Sequence, residues 1–363
     1  MMSTTNSPAA LTADERDQLD ALYSDFKSAH LAPLWTQREG LMPTVPNPDA
    51  VPMLWRWSSL HALAERAGGL VPVGRGGERR AIALANPGLP GTAYATPTLW
   101  AAIQYLGPGE EAPSHRHSQS AFRFVLEGEG VWTNVTGDAV AMRRGDLLLT
   151  PAMHDHEHHN TTDRPMAWID GLDIPLVRQI DAGFFEFGPE TLSTRETPAR
   201  SRNERLWAHA GLTPVGAAAA DTSPLMAYRW ESTDSALSAQ LELEDEGYPG
   251  VVEPGHAVVR YTNPATASDA LSTIRTEMHR LRSGCTTTPT RTAGSSVWQV
   301  FEGDGEVQLG EHRHELQTGD LFVVPSWTQL SLSTDSGLDA FRFSDDPVFE
   351  RLGLSRTDTE VTR

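Results

Sequence analysis

Only one cysteine, Cys285, stands among 363 residues. No disulfide can close within the chain, and a reducing compartment is the simplest reading. Basic residues are scarce, with 29 Lys and Arg against 48 Asp and Glu and a net charge of −19. Nucleic acid and anionic membrane surfaces both require a basic face, so neither is expected as a partner. No run of about 18 apolar residues occurs, so no segment is expected to span a bilayer. The opening Met-Met-Ser-Thr-Thr-Asn-Ser-Pro has no basic stretch followed by an apolar one. No signal peptide is therefore expected, and a cytoplasmic location follows. Long helical patterns are few, whereas there are 30 Gly and 25 Pro, which favours a turn-rich β protein. At roughly 100–200 residues per domain the length predicts two domains.

The most informative stretch runs from Gly109 to Asn160. It opens on Gly-Glu-Glu-Ala-Pro-Ser-His-Arg-His, which puts His115 and His117 two residues apart, and closes on Pro151-Ala-Met-His-Asp-His-Glu-His-His-Asn160. Strand-like alternation and Gly-rich turns lie between, as in Phe122-Arg123-Phe124-Val125-Leu126 and Glu127-Gly-Glu-Gly. In a strand, residues i and i+2 share a face about 7 Å apart. His115 and His117 can then converge on one ion if a neighbouring strand brings a third ligand, and the tract 154–159 offers several. By spacing alone this is a three-histidine metal site.

Residues 1–10 are small and polar and are expected to be disordered. Thr12-Ala-Asp-Glu15 reads as a capping box, and Leu19, Leu22, Phe26 and Ala29 follow at helical spacing, so 13–29 is expected as an amphipathic helix. Trp55 to Ala67 reads as a second helix, stopped by Gly68-Gly69. Strands are expected at Ala81–Leu84 and Thr98–Leu106. The polar, Ala/Pro/Ser-rich residues 178–225 read as an interdomain connection, with helix near 233–245. The second half then repeats the first. Glu127-Gly-Glu-Gly matches Glu302-Gly-Asp-Gly at an offset of 175, while Gly145-Asp146 and Pro151 match Gly319-Asp320 and Pro325 at 174. Two similar β units follow from this shared spacing. The counterparts of His115, His117 and His156 are Thr290, Thr292 and Leu330, so the second unit keeps the turns and lacks the ligands. His312 and His314, in a hairpin with no third partner, are read as surface histidines.

Gly-(x5)-His-x-His at 109–117 and Gly-(x5)-Pro…His-(x3)-Asn at 145–160 resemble the two cupin motifs. The usual cupin glutamate is missing, since Ala121 and Phe122 occupy its place. The chain from about Leu22 to Leu354 resembles the bicupin ring-cleaving dioxygenases of the gentisate 1,2-dioxygenase type. Further matching segments are Trp55-Arg-Trp, Leu70-Val-Pro-Val-Gly, Gly77-Glu-Arg-Arg80, Ala95-Thr-Pro-Thr-Leu99, Arg123-Phe-Val-Leu-Glu-Gly and Ile169-Asp-Gly-Leu-Asp-Ile-Pro. The resemblance implies an all-β fold of two cupin jelly-roll barrels with an N-terminal helical extension. It places a helical and extended arm at 1–90, a metal-binding cupin at 91–177, a connection at 178–265, a second cupin at 266–354 and a tail at 355–363.

The resemblance also implies one Fe(II) per subunit, held by His115, His117 and His156. The last is chosen over His154 by counting back from Asn160. Arg123, six residues past His117, is expected to face the ligands and pair with a substrate carboxylate, as a guanidinium suits. Arg79, Gln104, Trp100 and Ala102 are expected in the substrate pocket, the Ala102 methyl narrowing it toward gentisate. His158 and Asp170 are expected as a catalytic pair that handles the proton of a ring hydroxyl. Met153, Asp155, Glu157 and His159 depart from the family tract. The implied partners are a small aromatic hydroxy acid and O2, in a homotetramer. The implied reaction opens gentisate between its carboxyl-bearing and adjacent hydroxyl-bearing carbons to give maleylpyruvate. The alternatives are the same cleavage of substituted salicylates or 1-hydroxy-2-naphthoate, and a non-catalytic cupin that binds a small acid.

Overall fold

The computed structural model describes residues 11–37, 41–72, 80–189, 198–217 and 221–359. The chain divides into two compact units, one ending at Asn47 and one running from Pro48. In the first, a helix spans Ala13–Ser28. Its capping box is present, with the Thr12 hydroxyl accepting from Glu15 N at 3.2 Å and the Glu15 carboxylate accepting from Thr12 N at 2.8 Å. The helix buries no residue within the chain, and Trp35, Leu41 and Met42 are exposed. Among the described residues no helix is long and apolar enough to cross a membrane.

The second unit is built from β1 (Met53–Trp55), a helix at Trp57–Leu70, then β2 (Ala81–Ala83), β3 (Trp100–Leu106), β4 (Glu111–His117), β5 (Ala121–Glu127), β6 (Glu129–Val135), β7 (Asp138–Arg143), β8 (Leu147–Thr150), β9 (His156–Asn160) and β10 (Met166–Leu172). After a short helix at Ile174–Gln179 come β11 (Phe185–Phe187), a helix at Arg202–Trp207, β12 (Ala227–Tyr228) and a helix at Trp230–Asp245. The remaining strands are β13 (His256–Arg260), β14 (Arg275–Leu281), β15 (Arg291–Thr292), β16 (Ser296–Leu309), β17 (His312–Gln317), β18 (Leu321–Val324), β19 (Leu330–Ser333), β20 (Leu338–Ser344) and, after a helix at Asp346–Arg351, β21 (Thr357–Asp358). The first barrel consists of a sheet in the order β12-β8-β5-β10-β3-β2 and one in the order β11-β4-β9-β6-β7. The second is an eight-stranded sheet in which β17 and β19 both join β16.

The segments expected to lie outside the barrels contribute strands to both. β1 pairs with β18 of the second barrel, β2 with β3, β11 with β4, and β12 with β8. The expected boundaries at 91, 178 and 266 therefore cut across sheets. The exchange is reciprocal. Arg56, next to β1, pairs with Asp320 at 2.6 Å, and Arg229, next to β12, pairs with Asp146 at 2.5 Å. Each aspartate also accepts the backbone N–H of the following tryptophan, Trp57 or Trp230, at 3.0 Å. The Gly-Asp turns noted in the sequence are the receptors of these Arg-Trp pairs: a Cβ on Gly145 or Gly319 would strike the Trp230 or Trp57 ring. A second reciprocal link joins Thr273 to Asp173 and Thr98 to Asp345.

The helix expected to stop at Gly68-Gly69 continues to Leu70. Gly68 lets the helix lie close on β3, since a Cβ there would sit 2.8 Å from the Tyr105 ring. The core that joins the barrels is aromatic. Phe124 stacks on Phe341 with centroids 4.0 Å apart, and Phe122 meets Phe343 at 4.9 Å. Because neighbouring side chains in a strand point to opposite faces, the two phenylalanines that face the second barrel turn Arg123, between them, into the interior of the first.

Candidate active site

β4 carries His115 and His117 on one face, and β9 brings His156 directly opposite His115. The three imidazoles are buried, and one ligand atom from each lies within 4.8 Å of the others. Each ring has its Nδ1 2.9 Å from a backbone carbonyl two residues away: His115 on Pro113, His117 on Gln119, His156 on His154. A carbonyl only accepts, so each Nδ1 carries the hydrogen and each Nε2 is left as a ligand lone pair. His156 Nε2 is buried with no hydrogen-bond partner. Burial, then the Arg123 cation, hold His156 well below the ordinary histidine value, so it is neutral, as a ligand must be. His154 has the same local carbonyl contact but is not in the cluster. No carboxylate joins the three histidines among the described residues. The donor set fits a divalent transition metal, with three neutral nitrogens on one side.

The cluster opens onto a cavity of about 670 Å³. Arg123, Gln104, Trp100, His158 and Asp170 line it. Ala102 lies on the same face of β3, between Trp100 and Gln104, and opposite Asp170 on β10. It is fully buried beneath the lining and does not reach the cavity surface. Arg79 falls outside the described residues. Its neighbour Arg80 is spent on Glu110 and on the Val71 and Tyr105 carbonyls. His312 and His314 lie on β17 with rings 6.5 Å apart and belong to no three-ligand group.

Arg123 is 4% exposed. It donates to Thr150 Oγ1 at 2.5 Å, and its Nε lies 3.4 Å from Asp170 Oδ1, close enough for an ion pair but without hydrogen-bond geometry. Asp170 accepts from Trp168 Nε1 at 3.0 Å. Burial raises Asp170 to about 6, against the pull of Arg123. His158 and Asp170, expected as a pair, are not hydrogen-bonded to each other. His158 Nδ1 instead meets Thr133 Oγ1 at 2.8 Å, and its Nε2 is buried without a partner. Register explains the difference: His158 on β9 faces Thr133 on β6, while Asp170 sits on β10 opposite Arg123. Burial and Arg123 also hold His158 well below its ordinary value.

The sequence reading missed the wall beside the ligands. Phe184, Phe185 and Phe187 line the cavity from a segment taken as a connection. β11 pairs Phe185 with His117 and Phe187 with His115, and the Phe185 and His115 rings are 5.5 Å apart. The alternating Phe185-Glu-Phe187 was the available signal, too short to outweigh its polar surroundings. Thr133 and Thr150 carried no signal, because their roles depend on partners in other strands.

A model of the cupin domain matches residues 102–174. The chain is 68% identical over 343 residues to a gentisate 1,2-dioxygenase from Streptomyces sp, covering 94% of this chain and 96% of that one. The crystal structure of a salicylate 1,2-dioxygenase from Pseudaminobacter salicylatoxidans superposes with a TM-score of 0.93 at 56% identity, covering 98% of this chain and 100% of that one. A glycine-to-alanine variant of that enzyme, solved in complex with gentisate, superposes with a TM-score of 0.94 at 55% identity over 100% of both chains.

Proposed function

The chain belongs to the gentisate 1,2-dioxygenase family of bicupin ring-cleaving dioxygenases, and on that premise we propose that it opens gentisate between the carboxyl-bearing and adjacent hydroxyl-bearing carbons to give maleylpyruvate. The observation that carries the proposal is the trio of imidazole nitrogens converging on one side of a cavity whose other side holds a buried arginine. Bound by His115, His117 and His156, Fe(II) would keep its full double charge and supply the redox centre at which a chelating hydroxy acid and O2 react. Arg123, fixed by Thr150 and Asp170, pairs with the substrate carboxylate and orients the ring. Arg79 is a second candidate for that task. Trp100 and Gln104 shape the floor, with Ala102 packed beneath them, and the Phe184–Phe187 wall keeps bulk water from the reacting face. His158 takes the proton of a ring hydroxyl at Nε2, where no protein group competes for it. Asp170 acts through Arg123 rather than through His158. The subunits assemble as a homotetramer, an arrangement that light scattering would test.

Cleavage of substituted salicylates is the second reading, favoured by the likeness to a salicylate dioxygenase. Oxygen uptake by the ferrous-loaded protein with gentisate, salicylate and 1-hydroxy-2-naphthoate decides between them. Gentisate is expected to be consumed fastest, one O2 per ring. Faster turnover of salicylate would reverse the ranking, and no uptake with any of the three would leave a small-acid binder. R123Q is expected to raise KM for gentisate by about 100-fold, the loss of about 2.7 kcal/mol.

A further inference from the structure

We infer that Thr133 and Met142 fix His158, which lines the cavity, in the tautomer with a bare Nε2, which makes Thr133 a positioning residue for the proton acceptor. The inference rests on the reading of His158 as that acceptor.

Thr133 faces His158 across β6 and β9. Its Oγ1 lies 2.8 Å from His158 Nδ1 and 3.1 Å from Met142 Sδ. All three residues are at most 1% exposed. The hydroxyl has a single hydrogen, and a thioether sulfur can only accept. The geometry at the sulfur is that of a hydrogen bond in which the hydroxyl donates. The hydroxyl oxygen must then accept from the ring, so Nδ1 bears the hydrogen and Nε2 the lone pair. In the reverse arrangement the hydroxyl donates to Nδ1. Met142 then loses its donor, and Nε2–H is buried with no protein acceptor. One bond replaces two, and a lone buried donor is costly. At the metal ligands a carbonyl settles the tautomer unaided. Beside His158 a hydroxyl, which can play either role, needs the sulfur to decide it.

The second barrel supplies an independent observation. There Val307 on β16 pairs with Leu332 on β19, as Thr133 pairs with His158, and Leu316 on β17 fills the place of Met142. Val307, Leu316 and Leu332 are as buried as their counterparts. Val307 and Leu316 keep approximately the shapes of Thr133 and Met142 and lack the polar atom. The packing of this fold needs neither the hydroxyl nor the sulfur, and both occur only where the histidine occurs.

The test compares iron-loaded, full-length T133V, T133S, M142L and H158Q with the wild type, using gentisate. T133V is expected to lower kcat by about 10–100-fold, a part of what general-base catalysis contributes. Its KM and its iron content should stay within about twofold of wild type. T133S should restore kcat to within about threefold, and M142L should fall between wild type and T133V. Wild-type kcat in T133V, or no rescue by T133S, overturns the inference while H158Q remains impaired. Should T133V fail to fold, wild-type kcat in M142L overturns it. Wild-type kcat in H158Q instead sinks the underlying reading of His158.

Discussion

Where the first barrel sets His115 opposite His156, the second sets Thr290 opposite Leu330. The ladders around these pairs have the same register, so the interiors can be read position by position. Arg123 and Asp170 face each other across β5 and β10; Trp298 and Arg342 do so across β16 and β20. Ala102 lies opposite Asp170, and Glu277 opposite Arg342. Gln104 has its counterpart in His279. The first barrel thus leaves His156 Nε2 and His158 Nε2 without hydrogen-bond partners beside a cavity of about 670 Å³, and Arg123 Nε with an ion pair but no hydrogen bond. The second ties its buried charges together, although His279 Nε2 and Gln299 Oε1 there also lack hydrogen-bond partners. Arg342 bonds Glu277 and Asp346, His279 bonds His256 at 3.0 Å, and about 220 Å³ of cavity remains. Burial, only partly offset by Glu277, lowers His279 to about 4, so it is neutral at physiological pH, and burial lowers His256 as well. Unpaired buried polar groups cost stability, and the first barrel carries that cost beside its histidine cluster and cavity. The second barrel, with no three-ligand cluster among the described residues, ties its arginines to carboxylates instead.

The sharpest way to break this comparison is at the ligands. H156A is expected to abolish iron retention and lower turnover by more than about 100-fold, since even outer-shell changes weaken metal sites by 10–100-fold. T290A should leave both within about twofold. Metal analysis and oxygen uptake read the contrast, and an equal loss in T290A would mean that the barrels are not divided in function. Next in size is the seam between them. F341A removes a ring stacked on Phe124 and is expected to cost about 3–5 kcal/mol, seen as a lower Tm. A smaller shift than F187A, at an exposed position, would refute the shared core.

The smallest effect concerns the crossed links. Burial raises both Asp173 and Asp345, the latter from an ordinary 3.8 to about 7. A carboxyl with a raised folded-state value holds its proton more tightly folded than unfolded. Its stabilisation is therefore complete below its ordinary value and is lost as pH rises through about 7. Tm of the wild type is expected to fall across that window, and D345N, which keeps an acceptor for Ser295 N–H, should flatten the slope. An unchanged slope in D345N would assign the pH dependence elsewhere.

Two β units, the Gly and Pro positions that turn their strands, the capping box and the His-x-His pair were all legible along the chain. Each depends on local periodicity or on residues close in sequence. The absence of ligands from the second unit was legible for the same reason, because the repeat aligns on its turns. The exchange of β1 and β12 between barrels was not. Trp55-Arg-Trp and Tyr228-Arg-Trp look alike, but nothing local says that each is received by a Gly-Asp turn far away in sequence. Nor could spacing tell that His158 meets Thr133 rather than Asp170. Period-two alternation fixes which face a side chain takes, and so put Arg123 inward between two phenylalanines. Which strand lies across from that face is a matter of sheet order and register, set by long-range pairing. The sequence by itself determined the kinds of groups available and the faces they occupy. The tertiary structure alone decided which of them meet, because hydrogen bonds and metal coordination act over about 2–3 Å and register moves side chains in larger steps.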